Sequence, residues 1–192
     1  MFHPSRVLLS TLTLCSNHKR TWKVFWDLQC PFARKNFYQL PELKQHFSDE
    51  FDISVHLTSL AFHPQAFVGQ RAAKVIEKNL GEEKKFDFIN ACMDQQDLYT
   101  NDAVGDYRKS EIENIFANIA VEAGISIPTL IEQMNDWDLV KESYAEHKVA
   151  LGYGVFGTPK HVIDEKLVAD TESDWGVDEW KQKIEEINGT GQ

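Results

Sequence analysis

The run WKVFWDLQCPFARKNF, residues 22–37, changes its hydrophobic period in mid-course, and that change limits what the chain can fold into. WKVFW (22–26) is short, aromatic and β-branched, the composition of a buried strand. From residue 31 the apolar residues Ala33, Phe37, Leu40, Leu43 and Phe47 recur at helical spacing instead. Pro31 suits the first helical turn, where its missing N–H is no loss, and Pro41 is expected to kink the helix or restart it. In DISVHLTSL (52–60), Ile53, Val55 and Leu57 alternate as one face of a second strand. Two strands joined through a helix by a right-handed crossover become parallel neighbours.

A helical block of about 90 residues follows. Ala66, Ala73, Ile76 and Leu80 make one stripe, which Gly81 closes as a C-cap, and Phe86, Ile89, Cys92 and Met93 make another. Ser110 with Glu113 reads as a capping box opening Ile112, Ile115, Phe116, Ile119 and Ala123, with Gly124 as the stop. Asp136 can cap a further helix carrying Val140, Tyr144 and Leu151. The period then returns to two. HVIDEKLVADT (161–171) reads as two short strands around a turn at Asp164-Glu165-Lys166, and VDEWKQKIEEI (177–187) as a closing amphipathic helix that Trp175 and Trp180 pack onto the sheet. The order β–α–β, helices, β–β–α makes the chain a single α/β domain over 1–192, a small mixed sheet with helices on both faces.

A chain of 192 residues, 42% hydrophobic, is long enough to bury one good core. Its net charge of −10 argues against nonspecific binding to nucleic acid, whose phosphates it would repel. Arg6, Lys19, Arg20 and Lys23 precede the first acidic residue, Asp27, which leaves −14 on the remainder. No apolar stretch approaches the roughly 20 residues of a membrane span. The opening MFHPSRVLLSTLTLCSNHKR is free of acids and rich in Ser and Thr, so it reads either as an edge strand, which its thin basic region favours, or as a targeting segment. Compartment and oligomeric state stay open.

Cys15, Cys30 and Cys92 are odd in number and widely spaced, which is neither a disulfide framework nor a zinc spacing, so no metal is expected. With Pro31 at the first helical position, Cys30 becomes the N-cap. Unpaired N–H groups and the positive end of the helix then face its sulfur and favour a reactive thiolate. The competing reading is a buried structural cysteine.

The stretches WDLQCPFARKNF and GVFGTPKHVID (154–164) together resemble the thioredoxin fold with the helical insertion of its DsbA-like branch, the insertion spanning about residues 64–152. The first is similar to the family's strand–x-C-P-x-x–helix. The second is similar to its cis-proline loop followed by an antiparallel hairpin, and GVFG-x-P is also similar to kappa-class glutathione transferases and hydroxychromene-carboxylate isomerases. The resemblance makes Cys30 the attacking cysteine, or the serine equivalent of the kappa-class relatives. It makes Pro31 and Phe32 the intervening positions, and Thr158 and Pro159 the cis-proline loop that lies beside the cysteine and pairs with an extended substrate. Ala33 stands where redox members keep the resolving cysteine, so Cys30 would stop at a mixed disulfide until another thiol resolved it.

Three functions follow from the resemblance. One is a monothiol oxidoreductase acting on a small thiol or an oxidised protein or peptide, with glutathione as cosubstrate and no tightly bound cofactor. Another is a kappa-like glutathione transferase or isomerase. The last is a non-catalytic binding module. Cys15 or Cys92 could resolve internally only within about 7 Å, Cα to Cα, and Cys92 on its apolar stripe reads as core. His63 is expected to be a plain loop histidine, and His161 to point away from the face of Lys160. NDAVGD (101–106) has carboxylates but no calcium-loop spacing, and its Gly105-Asp106 reads as a turn.

Overall fold

The computed structural model describes residues 19–189. The opening edge-strand or targeting reading, Cys15 included, falls outside the described residues. Strands β1 (Arg20–Trp26), β2 (Phe51–Leu57), β3 (Lys160–Ile163) and β4 (Lys166–Leu167) form one mixed sheet in the order β2-β1-β3-β4. The β1–β2 pair is parallel, as its helical crossover requires, and the other two pairs are antiparallel. Strand alternation sends Trp22, Val24 and Trp26 to one face, where they are fully buried with α1 (Pro31–Phe47) and α8 (Val177–Gly189). Phe25 goes to the other face and packs with Ala150, Val155 and Val162. Trp180 of α8 lies 4.6 Å from Trp22, ring to ring.

The hairpin turn between β3 and β4 has only two residues, Asp164 and Glu165, both at positive φ (47° and 65°). That conformation disfavours ordinary side chains, and here both are tied down. The Asp164 carboxylate accepts from Arg20 Nε (2.7 Å) and from the Thr21 N–H (3.2 Å), and Glu165 bonds to Lys23 and Tyr153.

Between β2 and β3 the chain makes α2 (Pro64–Leu80), α3 (Glu82–Asp94), a 3-10 turn (Gln96–Leu98), α4 (Asn101–Val104), α5 (Lys109–Glu122), α6 (Leu130–Met134) and α7 (Trp137–Gly152). Gly69 lets α2 approach closely: a Cβ there would lie 2.6 Å from Phe116 Cε1 and 2.7 Å from Leu28 Cδ1. Alanine ordinarily gains about 1 kcal/mol over glycine in a helix, but overpacking costs about 1–3 kcal/mol. Gly69→Ala is therefore expected to lower stability by about 1 kcal/mol in urea denaturation. A gain would show that Phe116 and Leu28 move aside freely.

Several local expectations are corrected. Of the two outcomes expected at Pro41, the restart does not occur: α1 is one helix from Pro31 to Phe47, with that proline exposed and Phe37, Leu40, Leu43 and Phe47 buried along one stripe. Strand β2 ends at Leu57 rather than residue 60, since the Leu60 N–H is taken by the Asp27 carboxylate at 2.7 Å. Helix α5 is boxed by Glu111, which accepts from the Arg108 N–H at 2.8 Å. Glu113 is instead drawn inward to Asn135 (2.9 Å) and lies 3.7 Å from Arg71. On α7 the buried positions are Leu139, Ser143 and Ala150, while Tyr144 and Leu151 are exposed. Ser143 tolerates burial because its hydroxyl donates to the Leu139 carbonyl at 3.0 Å. Among the described residues, no helix is long and apolar enough to cross a membrane.

Candidate active site

Strand β1 leads through Asp27-Leu28-Gln29 into α1, and Cys30 is the N-cap of that helix with Pro31 at its first position. The turn is closed by the Cys30 N–H donating to the Asp27 carbonyl at 3.1 Å. Across from it, the Thr158–Pro159 peptide bond is cis. The Cys30 thiol donates to the Thr158 carbonyl at 3.2 Å, so residues 128 positions apart in sequence meet at the sulfur. No N–H of α1 hydrogen-bonds the sulfur. Pro31 has no N–H, and the Arg34 N–H is taken by the Cys30 carbonyl.

The other site residues separate by exposure. Pro31 and Phe32 face solvent, Phe32 with 56% of its surface exposed, while Thr158 is buried. Ala33 is fully buried one helical turn from Cys30. The two cysteines among the described residues, Cys30 and Cys92, are both free thiols. Cys92 is fully buried on α3, and loss of hydration pushes its thiol well above the usual range. It is a core residue, as its stripe predicts.

Asp27 anchors the turn from below. Its buried carboxylate accepts from the Gln29 N–H (2.7 Å) and from the Leu60 N–H, and His63 Nδ1 lies 3.1 Å away. Burial raises the Asp27 pKa, and those N–H groups and His63 partly counter it. His63, read from sequence as a loop histidine, therefore sits against this acid just before α2. His161 does not serve the site. Its ring is fully buried against Trp22 and Trp180, and its Nδ1 accepts from Trp22 Nε1 at 3.0 Å.

No protein-family model matches the sequence, and no curated protein matches it. Solved structures do match. A protein from Pseudomonas syringae proposed to be a protein-disulfide isomerase superposes with a TM-score of 0.73 at 21% identity, over 88% of this chain and 94% of that one. BdbD from Bacillus subtilis gives 0.66 at 18% identity, over 87% and 86%. MdbA, a thiol-disulfide oxidoreductase from Corynebacterium diphtheriae, gives 0.63 at 16% identity, over 89% and 86%.

The chain has the thioredoxin-like fold with a helical insertion.

Within that thioredoxin-like frame, the insertion reaches the cysteine turn through residues that sequence reading passed over. Gln29 is buried; its Oε1 accepts from the Gln65 N–H (3.2 Å) and its Nε2 donates to Asn101 Oδ1 (2.8 Å). Asn101 Nδ2 in turn donates to the Phe62 carbonyl at 3.0 Å. Gln96 and Tyr99 also hold the turn by its carbonyls. Side-chain amides have no periodicity and no spacing rule, so a single sequence carries no signal for them. In NDAVGD the first four residues form the short helix α4, which supplies Asn101 to this network, and Gly105-Asp106 make the expected turn.

Proposed function

We propose that this protein is a monothiol thiol–disulfide oxidoreductase, with Cys30 as nucleophile and Thr158 and Pro159 forming the loop against which a substrate disulfide is presented. The contact between the Cys30 sulfur and the Thr158 carbonyl carries this reading, because a thiol at a helix start there lies beside a backbone edge. Loss of the thiol proton removes that hydrogen bond and leaves the thiolate next to the positive end of α1.

The thiolate attacks one sulfur of a disulfide, forming a Cys30–sulfur bond as the original S–S bond breaks. The departing thiolate leaves with that electron pair and takes up a proton from solvent. With alanine at position 33 and Cys92 sealed in the core, the thiolate of a small thiol such as glutathione then attacks the substrate sulfur of the mixed disulfide, forms a new disulfide with it and expels Cys30 as the thiolate.

Three exposed aromatics support an oxidised protein or peptide as the partner rather than a small molecule alone. Phe32 follows Cys30 directly after Pro31. Phe156, 76% exposed, stands two residues before Thr158. Phe62, 62% exposed, is tied to the same turn through Asn101 and Gln29. Apolar side chains held in water around a nucleophile suit an unfolded, apolar segment.

Intact-mass analysis after incubation with oxidised glutathione tests the reading. One glutathione adduct is expected, mapping to Cys30 and missing from Cys30→Ser. No adduct, or an adduct confined to Cys15 or Cys92, would sink it and leave the binding module in front. Turnover of a glutathione-conjugated electrophile by Cys30→Ser would instead favour the kappa-like transferase.

A further inference from the structure

One side-chain amide of the insertion, that of Gln96, grips the turn that aims Cys30 by two of its carbonyls. Gln96 Nε2 donates to the Leu28 carbonyl at 2.7 Å and to the Cys30 carbonyl at 3.1 Å, so one NH2 group spans both sides of Gln29. Gln96 is 3% exposed and stands at the start of the 3-10 turn between α3 and α4. Its neighbours reinforce the grip. Arg34 on the first turn of α1 donates to Asp97 (3.2 Å), and Tyr38 one turn later donates to Asp94 (2.8 Å).

The Cys30 carbonyl also accepts from the Arg34 N–H at 3.1 Å. The Tyr99 hydroxyl lies 3.1 Å from the Leu28 carbonyl and 2.7 Å from the Cys92 carbonyl, and its single proton serves one of them at a time. Removing the Gln96 amide therefore leaves the Cys30 carbonyl with a donor and the Leu28 carbonyl sharing the Tyr99 proton with Cys92, so part of the cost of a buried acceptor falls on stability. What the amide adds is a fixed separation and orientation of residues 28 and 30, and with it the direction of the Cys30 side chain toward Thr158.

We infer that Gln96 is a positioning residue for disulfide exchange at Cys30. The inference rests on the oxidoreductase reading. Exchange requires three sulfurs nearly in line, and a substrate docked against the Thr158–Pro159 loop cannot turn to find a displaced thiolate. A small alkylating agent is not docked, so its reaction depends on reaching the buried Cys30 sulfur and not on alignment with the loop.

Gln96→Leu separates the two kinds of chemistry. In this variant the Cys30 reaction with a cysteine-disulfide peptide rich in apolar residues is expected to slow about tenfold, the scale of a slightly misplaced reacting group. Alkylation of Cys30 by iodoacetamide at the same pH is expected to stay within about twofold, with an unchanged circular dichroism spectrum. Equal exchange rates in Gln96→Leu and wild type would overturn the positioning role alone. So would parallel losses in exchange and alkylation, which indicate a general structural effect. A wild-type protein that alkylates but never exchanges would overturn the oxidoreductase reading, and this inference with it.

Discussion

On the monothiol reading proposed above, Ala33→Cys is expected to turn a protein that stops at a mixed disulfide into one that resolves itself. Incubated with oxidised glutathione, the variant should finish with an internal disulfide between Cys30 and the introduced thiol, and with both glutathiones released. The wild type should retain one. The new thiol would attack the Cys30 sulfur, expel glutathione thiolate and close the ring, with no outside reductant required. Residues three apart on a helix lie about 5–6 Å apart at Cβ, and a disulfide needs about 3.5–4.5 Å. The extended backbone of Cys30 (φ −82°, ψ 120°) frees its side chain from helical geometry to make up the difference. Because the attack is intramolecular, release should be about 100-fold faster, or more, than with millimolar external thiol. Ala33 is fully buried, so the added sulfur is expected to cost about 1–3 kcal/mol of stability by overpacking. Mass spectrometry of the quenched reaction reads the outcome. A persistent glutathione adduct in Ala33→Cys would show that position 33 does not face the Cys30 sulfur as a resolving thiol must.

The second large effect concerns stability in acid. Burial lowers the His161 pKa to about 3, with a further push from Lys160, while an unfolded chain restores about 6.5. Above about pH 6.5 the histidine is neutral in both states and contributes nothing to the pH dependence. As pH falls from about 6.5 toward 3, the unfolded chain takes up a proton that the folded chain refuses. Stability is thus present above the unfolded pKa and is lost on acidification, by up to about 5 kcal/mol in total. Asp27 acts in the opposite direction over the carboxylate range, because its folded pKa is raised.

His161→Phe removes the titrating ring and leaves Trp22 Nε1 without its acceptor, a penalty of about 1–3 kcal/mol that does not vary with pH. Urea denaturation at pH 7, 5.5 and 4.5 should show the wild type losing stability faster than the variant, so that the gap between them narrows in acid. Parallel losses would mean that His161 is protonated in the fold and that its contact with Trp22 is not the one described.

Some of this chemistry was readable along the chain. The switch from WKVFW to the helical stripe after Pro31, and the return to short strands at HVID, each lie within one contiguous segment. The capping error on α5 shows the limit of that reading. Ser110 and Glu113 have the spacing of a box, but a buried Arg71 from α2 draws Glu113 inside and leaves Glu111 to close the helix. Leu80 and Tyr144 likewise sit at helical spacing with apolar neighbours, yet both keep nearly half of their surface in solvent.

The sequence by itself determined that Cys30 begins a helix, because a proline at the next position and the apolar period after it are local properties of the backbone. It also determined that Ala33 cannot resolve a disulfide, since no sulfur is there. Only the tertiary structure decided what surrounds the thiol. Thr158 reaches it through the pairing of β3 with β1, and Gln96, Tyr99 and Asn101 reach its turn from the insertion. His63 meets Asp27 because β2 ends where the acid catches Leu60. Such contacts join residues more than 30 positions apart through single hydrogen bonds, and a hydrogen bond of that kind exists only once packing has brought its donor and acceptor together.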